Sequence, residues 1–516
     1  MALTKSLKEI IAEDKTGLLG KHASWERVCL RDVAEVLNGY PFESNLFQSA
    51  NGMPLIRIRD VQTGSTNTYF SGEFDNQFLV NRGELLVGMD GDFNSARWKA
   101  KPSLLNQRVC KLTVDERFYS DRLLELVLPG FLAAIHAETS SVTVKHLSSR
   151  SIQEIELPLP PAAEQTRIVE KLEELLSDLD AGVAELKAAQ KKLAQYRQSL
   201  LKAAVEGALT ADWRSARRVA NEEAETGAQL LARILTERRS RWETRQLAKF
   251  QSQGKAPPKD WQAKYSVPVT PDNTGLPALP LGWVWSSLGQ CFQVAVGATP
   301  SRKELGYWGG GIPWVSSGEV RFNRITESKE TISEDGLSNS STRLNPVGSV
   351  LLGMIGEGKT RGQVAILDIE AANNQNCAAI WATETDVPPE YVYFWLWSRY
   401  DETRRGSSGN NQPALNKSIV ENIPFPLPPL SEVLKIVPLL SAALLQTSEQ
   451  EAAVEYSLKQ SAVQRKNILQ AAFSGQLVPQ DPADEPASVL LARIRVERAG
   501  RGAGFARVRG RKTVAM

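Results

Sequence analysis

Leu200-Leu-Lys-Ala-Ala-Val-Glu-Gly207-Ala-Leu209 is written a second time, 268 residues further on, as Ile468-Leu-Gln-Ala-Ala-Phe-Ser-Gly475-Gln-Leu477. The match runs back without a gap through Leu172 on Leu440 and Ile168 on Ile436 to a proline signature, Leu157-Pro-Leu-Pro-Pro161 on Phe425-Pro-Leu-Pro-Pro429. A period this long is the mark of a duplicated architecture, and it governs how every other segment is read.

Working outward, the regions before each proline signature also correspond. Trp25 precedes Gly39-Tyr-Pro41 as Trp283 precedes Gly297-Ala-Thr-Pro300, with fourteen residues from Trp to Gly both times. Gly83-Glu-Leu-Leu-Val-Gly88-Met89 matches Gly348-Ser-Val-Leu-Leu-Gly353-Met354, and Asn106-Gln107 matches Asn374-Gln375. After a change of offset, Leu230-Leu-Ala-Arg-Ile234 recurs as Leu490-Leu-Ala-Arg-Ile494. Each half is thus a globular head followed by a helical segment. The heads diverge and the helical segments stay alike, so two different ligands are expected in one frame.

The proline signature stops a strand, because proline lacks an N–H and fixes φ. A helix is expected from about Ala162, with Ile168, Leu172, Leu175, Leu179, Val183, Leu186, Leu193, Tyr196 and Leu200 forming a coiled-coil-like stripe that ends at Gly207. The second helix carries Ile436, Leu440, Ala443, Val454, Leu458, Ile468 and Ala472, with Thr447 and Glu451 weakening its stripe. Two repeats related by a pseudo-two-fold axis would pack these helices antiparallel. They would form a spacer between the heads or, on the pattern alone, a simple dimerisation coil.

Bulk properties exclude several classes. The chain has 516 residues, 42% hydrophobic and 23% charged, with a formal charge of only +2, so any basic surface must be local. Cys29, Cys110, Cys291 and Cys377 lie far apart, against a zinc ribbon or disulfide scaffold and in favour of a reducing, cytoplasmic setting. With only His22, His136 and His146, there is little material for metal or triad chemistry, and neither catalytic nor metal-ligating residues are assigned. The first twenty residues lack a signal-peptide core, and the apolar stretch 123–135 is interrupted by Pro129 and Gly130, so no membrane is expected as a partner.

Segments 25–157 and 283–425 read as β-rich, with strands near 54–58, 84–87, 312–315 and 350–352 and single helices at 121–136 and 389–404. Polar chemistry sits at the strand ends. In the first head the candidates are Arg57, Arg59, Asp90, Asn94, Arg97, Lys99, Lys145 and His146. In the second they are Arg302, Ser316, Ser317, Lys359, Arg361, Asn410, Asn411, Gln412 and Lys417. Arginine and lysine suit guanine edges and phosphates, and asparagine and glutamine pair with adenine.

One alternative stays open. Gly353-Met-Ile-Gly-Glu-Gly358-Lys359-Thr360 satisfies a phosphate-loop pattern, but the residues after it, 361–368, look like a strand rather than the helix such a loop requires. Two basic stretches, 233–264 and 501–512, would touch phosphates or stay solvated.

Taken in order, these features resemble the specificity subunit of Type I restriction-modification systems. The carrying residues are the two Trp…Gly…Pro openings, the two Pro-Leu-Pro-Pro closings, Glu164-Gln165, the exit Ala208-Leu-Thr-Ala-Asp-Trp-Arg214 and the paired Leu-Leu-Ala-Arg-Ile segments. The resemblance implies an α+β chain of two β-rich target recognition domains, 25–161 and 276–429, separated by two long helices, 162–212 and 430–478, packed as an antiparallel coiled coil. A basic linker with a short helix would fill 213–275, with terminal segments at 1–24 and 479–516. It further implies a split double-stranded DNA target and two modification subunits docked on the helices, for which Ile168, Leu172, Leu200, Ile436, Leu440 and Ile468 are the expected positions. Restriction subunits would join that core. S-adenosylmethionine, ATP and magnesium would sit on these partners, and no cofactor on this chain. A nucleotide-binding regulator using the Gly353–Thr360 loop, a fused DNA-modifying enzyme and a structural coiled-coil adaptor are the competing readings.

Overall fold

The computed structural model describes residues 5–139, 145–219, 225–356, 359–405 and 415–510. Two compact units emerge: Met1–Lys187 with Glu455–Met516, and Ala188–Val454. The division cuts through both long helices, so the first unit is built from two stretches of chain and the second from the one between them.

In the first unit, an antiparallel sheet runs in the order Ala34–Asn38, Val109–Val114, Leu85–Gly88, Asn94–Arg97. The helix Asp121–Glu138 covers it and buries Leu123, Leu124, Val127, Leu128, Phe131, Leu132 and Ile135. Its start is set by Ser120, whose hydroxyl accepts from the Leu123 N–H. It continues past Pro129, whose side chain is exposed, and Gly130, which lies against Leu18. The single helix expected at 121–136 is thus present, with Pro129 and Gly130 inside it. A second sheet of short strands holds Met53–Ile56 beside Ser103–Leu105 in parallel.

The second unit repeats this plan with five strands: Gln293–Val296, Cys377–Trp381, Ser349–Gly353, Val364–Leu367 and Asn323–Ile325. The helix Pro389–Ser398 packs on it, and Trp308–Val315 lies in a separate three-stranded sheet. Each head opens and closes on one two-stranded antiparallel stem. Glu26–Cys29 pairs with Glu156–Leu159, and Val284–Ser287 with Pro424–Leu427. Matching tyrosines secure the stems: Tyr119 donates to the Pro158 carbonyl and Tyr391 to that of Pro426, each at 3.1 Å.

The long helices are Ala162–Val205 and Leu430–Phe473, 44 residues each, or about 66 Å at the usual rise. In the first unit Glu164 meets Gln480 and Asp180 meets Arg465. In the second Arg197 meets Glu451 and Arg214 meets Glu432. Rising numbers on one helix meet falling numbers on the other, so the pair is antiparallel. By length and composition, Leu430–Phe473 is apolar enough to cross a bilayer; here its buried residues Val433, Ile436, Leu440 and Leu444 pack into the core of the second unit.

That packing occupies the expected docking positions with the chain's own heads. Ile168 and Leu172 are buried in the core of the first head, and Leu200, Ile436 and Leu440 in that of the second, while Ile468 is packed partly buried against the first. The first two to four turns of each helix belong to the head they follow, because an apolar stripe next to an open sheet face gains more by covering it than by waiting for a partner. The linker also differs from expectation. Instead of a short helix it holds Ala211–Val219 and the 26-residue Gly227–Ser252, whose Leu230 and Ile234 are buried on the second head as Leu490, Leu491 and Ile494 are on the first.

Candidate nucleic-acid interface

Strand direction decides where the polar loops gather. In the first head, the ends of Ala34–Asn38 and Leu85–Gly88 and the start of Val109–Val114 lie at one edge of the sheet, as the pairings Asn38 with Cys110 and Gly88 with Val109 require. Met53–Ile56 and Ser103–Leu105 end in parallel, so the turn 106–108 and the loop 57–59 share that rim. The second head builds the same rim from 297–302, 316–317, 354–363 and 374–376.

A glycine in each head makes this possible. A Cβ on Gly39 would stand 2.0 Å from the Asn106 carbonyl oxygen, and one on Gly297 would stand 1.8 Å from that of Asn373. Only hydrogen fits there. The close approach lashes the turn to the sheet: Tyr40 N–H donates to Leu105, Gln107 N–H to Tyr40, and Met89 N–H to Arg108. Met354 N–H donates to Asn376 in the same way, which makes Arg108 and Asn376 equivalent positions.

Arg57, Arg59, Asp90, Asn94, Lys145 and His146 all sit on or next to the first rim. Arg57 and Arg59 are exposed, with Arg59 only loosely paired to Asp60 at 3.7 Å. His146 Nδ1 lies 2.5 Å from Asp90, and Lys145 donates to the His136 carbonyl. Asn94 Oδ1 and Ser95 Oγ are buried without a hydrogen-bond partner. Arg97 and Lys99 lie at the other end of their strand. The Arg97 guanidinium is spent on Asp121, Glu125 and the Gly83 carbonyl, and the Lys99 stem packs over Gly64. Arg97 is thus tied to acids of its own head, at the end of the strand away from the rim.

In the second head, Arg302 grips Glu330 through both terminal nitrogens and lies 3.6 Å from the Trp308 ring centre. The carboxylate holds Arg302 above its ordinary pKa, and Glu330 is held below its own chiefly by that hydrogen bond. Ser316 forms a capping box with Glu319, and Ser317 follows it on the same loop. The carbonyl of Lys359 accepts from Tyr400, and Arg361 lines a cleft with Leu352, Arg399 and Thr403, its Nε buried without a partner. Lys417 pairs with Glu421 one helical turn on. Asn410, Asn411 and Gln412 lie outside the described residues.

The phosphate-loop resemblance does not survive in three dimensions. Gly362 N–H returns to the Gly353 carbonyl and the chain continues as the strand Val364–Leu367, so the loop leads into a strand and not into the helix that a phosphate loop opens. Four of the five arginines of 233–245 are also committed to groups outside their helix: Arg233 to Glu225 and Asp386, Arg238 to the Phe292 carbonyl, Arg241 and Arg245 to Glu384. They clamp this helix to its own head.

Sequence reading missed two things. Arg108 was hidden two residues past a repeated Asn, because only tertiary contact brings it to Asp90, 3.3 Å away, and to His146, 3.2 Å away. It also missed what the repeated tryptophans do. Trp25 donates its indole N–H to Glu164 and Trp283 donates to Glu432, both carboxylates being about 1% exposed. The recurrence of a Trp at each head's opening and of a Glu at the shared offset of 268 after each proline signature was the available signal.

The family described as Type I restriction modification DNA specificity domain matches residues 23–188 and again 280–458. The Type I restriction enzyme EcoBI specificity subunit of Escherichia coli is 32% identical over 513 residues, covering 97% of this chain and 98% of the relative. The EcoDI specificity subunit of the same species is 23% identical over 437 residues, covering 83% and 87%. A chain solved in work on assembly and conformational transition of the type I R-M system shares the fold, with a TM-score of 0.56 at 16% identity over 88% of this chain and 98% of that one. Matched in both halves and along nearly its full length, the chain belongs to the Type I restriction-modification DNA specificity family.

Proposed function

We propose that this chain is the non-catalytic DNA-reading subunit of a Type I complex, with each head reading one half of a split duplex sequence and the antiparallel helices setting the gap. The observation that carries this reading is one duplicated scaffold presenting two rims of different chemistry. A single rim contacts too few base pairs to be selective; two joined by a stiff spacer add their free energies at a fixed distance. Half-sites on one face of a duplex repeat at about 34 Å per turn, within the reach of helices of this length.

Two modification subunits, which bind S-adenosylmethionine and methylate adenine, would dock on the outer faces of the helices. Restriction subunits using ATP and magnesium would complete the assembly in the cytoplasm. Since the expected docking residues are buried, the exposed apolar positions Tyr196, Leu434, Leu439, Leu445, Tyr456 and Val463 are better suited to that contact.

The test is to insert or delete a few residues within 175–195 and map methylated adenines in cells carrying the complex. The accepted gap should change while both half-site sequences persist. Altered half-sites at an unchanged gap would overturn the spacer.

A further inference from the structure

We infer that Arg108 reads a guanine in the half-site of the first head and that Asp90 aims it; this rests on the two-headed reading above and assigns it a contact. Arg108 lies on the turn that Gly39 brings against the sheet, and its carbonyl is pinned by the Met89 N–H at 2.9 Å. Its backbone is left-handed, at φ 72°, a conformation that side-chain-bearing residues rarely adopt. Such an outlier on a rim points to function, because nothing in the turn itself needs a long cation there.

The side chain is presented rather than consumed. Asp90 holds Nε at 3.3 Å, and the guanidinium remains half-exposed. His146 Nδ1 stands 2.5 Å from Asp90 and 3.2 Å from Arg108 Nη1. One ring nitrogen cannot donate to the carboxylate and accept from the arginine together. The shorter contact takes the proton, so both terminal nitrogens of Arg108 keep hydrogens pointing outward. Nη2 has no partner among the described residues. A guanidinium ion-paired to Asp90 at Nε and open at its two ends matches the O6 and N7 acceptors of guanine in the major groove.

The other arginines considered for the two rims do not offer this. Arg302 has given both ends to Glu330. Arg57 and Arg59 lack a carboxylate at hydrogen-bond distance to orient them, as suits phosphate contacts. At the equivalent position of the second head stands Asn376, a residue type that pairs with a different base. The scaffold is kept there and the reading group is changed.

The experiment uses the assembled complex with its methyl donor, acting on a pool of duplexes randomised across both half-sites. Arg108→Lys and Arg108→Ala should each lose selectivity for guanine at one position of one half-site, on the order of ten- to a hundredfold, leaving the other half-site and the gap untouched. Asp90→Asn should give a smaller loss at that same position. If Arg108→Lys keeps the preference, or if Arg108→Ala weakens methylation of all sequences evenly, Arg108 touches phosphate and the assignment is wrong. If the unsubstituted complex selects no split sequence at all, the two-headed reading falls first.

Discussion

Glu164 and Glu432 occupy matching places at the starts of the two long helices, yet they are neutralised differently. Glu432 accepts from Trp283, Thr210 and the guanidinium of Arg214. Glu164 accepts from Trp25 and the amide of Gln480, with no cation in direct contact among the described residues. The position is preserved because it closes three pieces of chain at once: the head's opening, the helix that follows the head, and the segment that leaves the opposing helix. How the buried charge is met is free to vary.

The largest expected effect separates these two latches. Glu432→Ala leaves Arg214 without its buried carboxylate and should cost about 3–5 kcal/mol. Glu164→Ala orphans only neutral donors and should cost about 1–3 kcal/mol. Chemical unfolding of the two variants measures the difference, and equal losses would show that Arg214 adds nothing. Next in size, Gly39→Ala and Gly297→Ala should each cost about 2–3 kcal/mol and abolish one half-site apiece in methylation maps. A well-tolerated alanine at either position would mean that the turn can retreat. Smaller still, double-mutant cycles should give about 1 kcal/mol for the half-buried Arg197–Glu451 pair and about 0.3 kcal/mol for the more exposed Asp180–Arg465 pair.

The least effect is one of pH. Glu330 is held below its ordinary 4.5 by Arg302. Its contribution is therefore complete above that value and fades as the pH falls through the lower, folded one. Fluorescence of Trp308, on which Arg302 lies, should hold steady from neutrality down to about pH 5 and change only in stronger acid. A change near pH 6 would implicate another group.

Most of the scaffold could be read from residues alone. Gly39, Pro158 and Gly207 each have a repeat partner because each meets a backbone demand that comes twice, and Trp25 because its indole N–H meets a buried glutamate that comes twice. The strands at 85–88 and 349–353 and the helix beginning at Ala162 followed from local pattern. What failed were statements about who covers whom. The stripe from Ile168 to Leu200 announces an apolar face, but nothing in its spacing says whether a partner or the chain's own head will occupy it. The same gap hid Arg97, whose acids come from a distant helix, and Arg108, whose conformation exists only once Gly39 has closed on Asn106. Rim chemistry depends on such long-range contacts, so it was legible as a set of residue types and not as an arrangement.

Because each head begins and ends on neighbouring strands of one stem, its two points of attachment are roughly 5 Å apart, and the intervening sheet is a closed excursion from the frame. Exchanging everything between such strands for a different excursion would leave the helices, the buried glutamates and the gap as they were. New target sequences can therefore arise by wholesale replacement of one loop of chain, without the frame having to adapt by mutation.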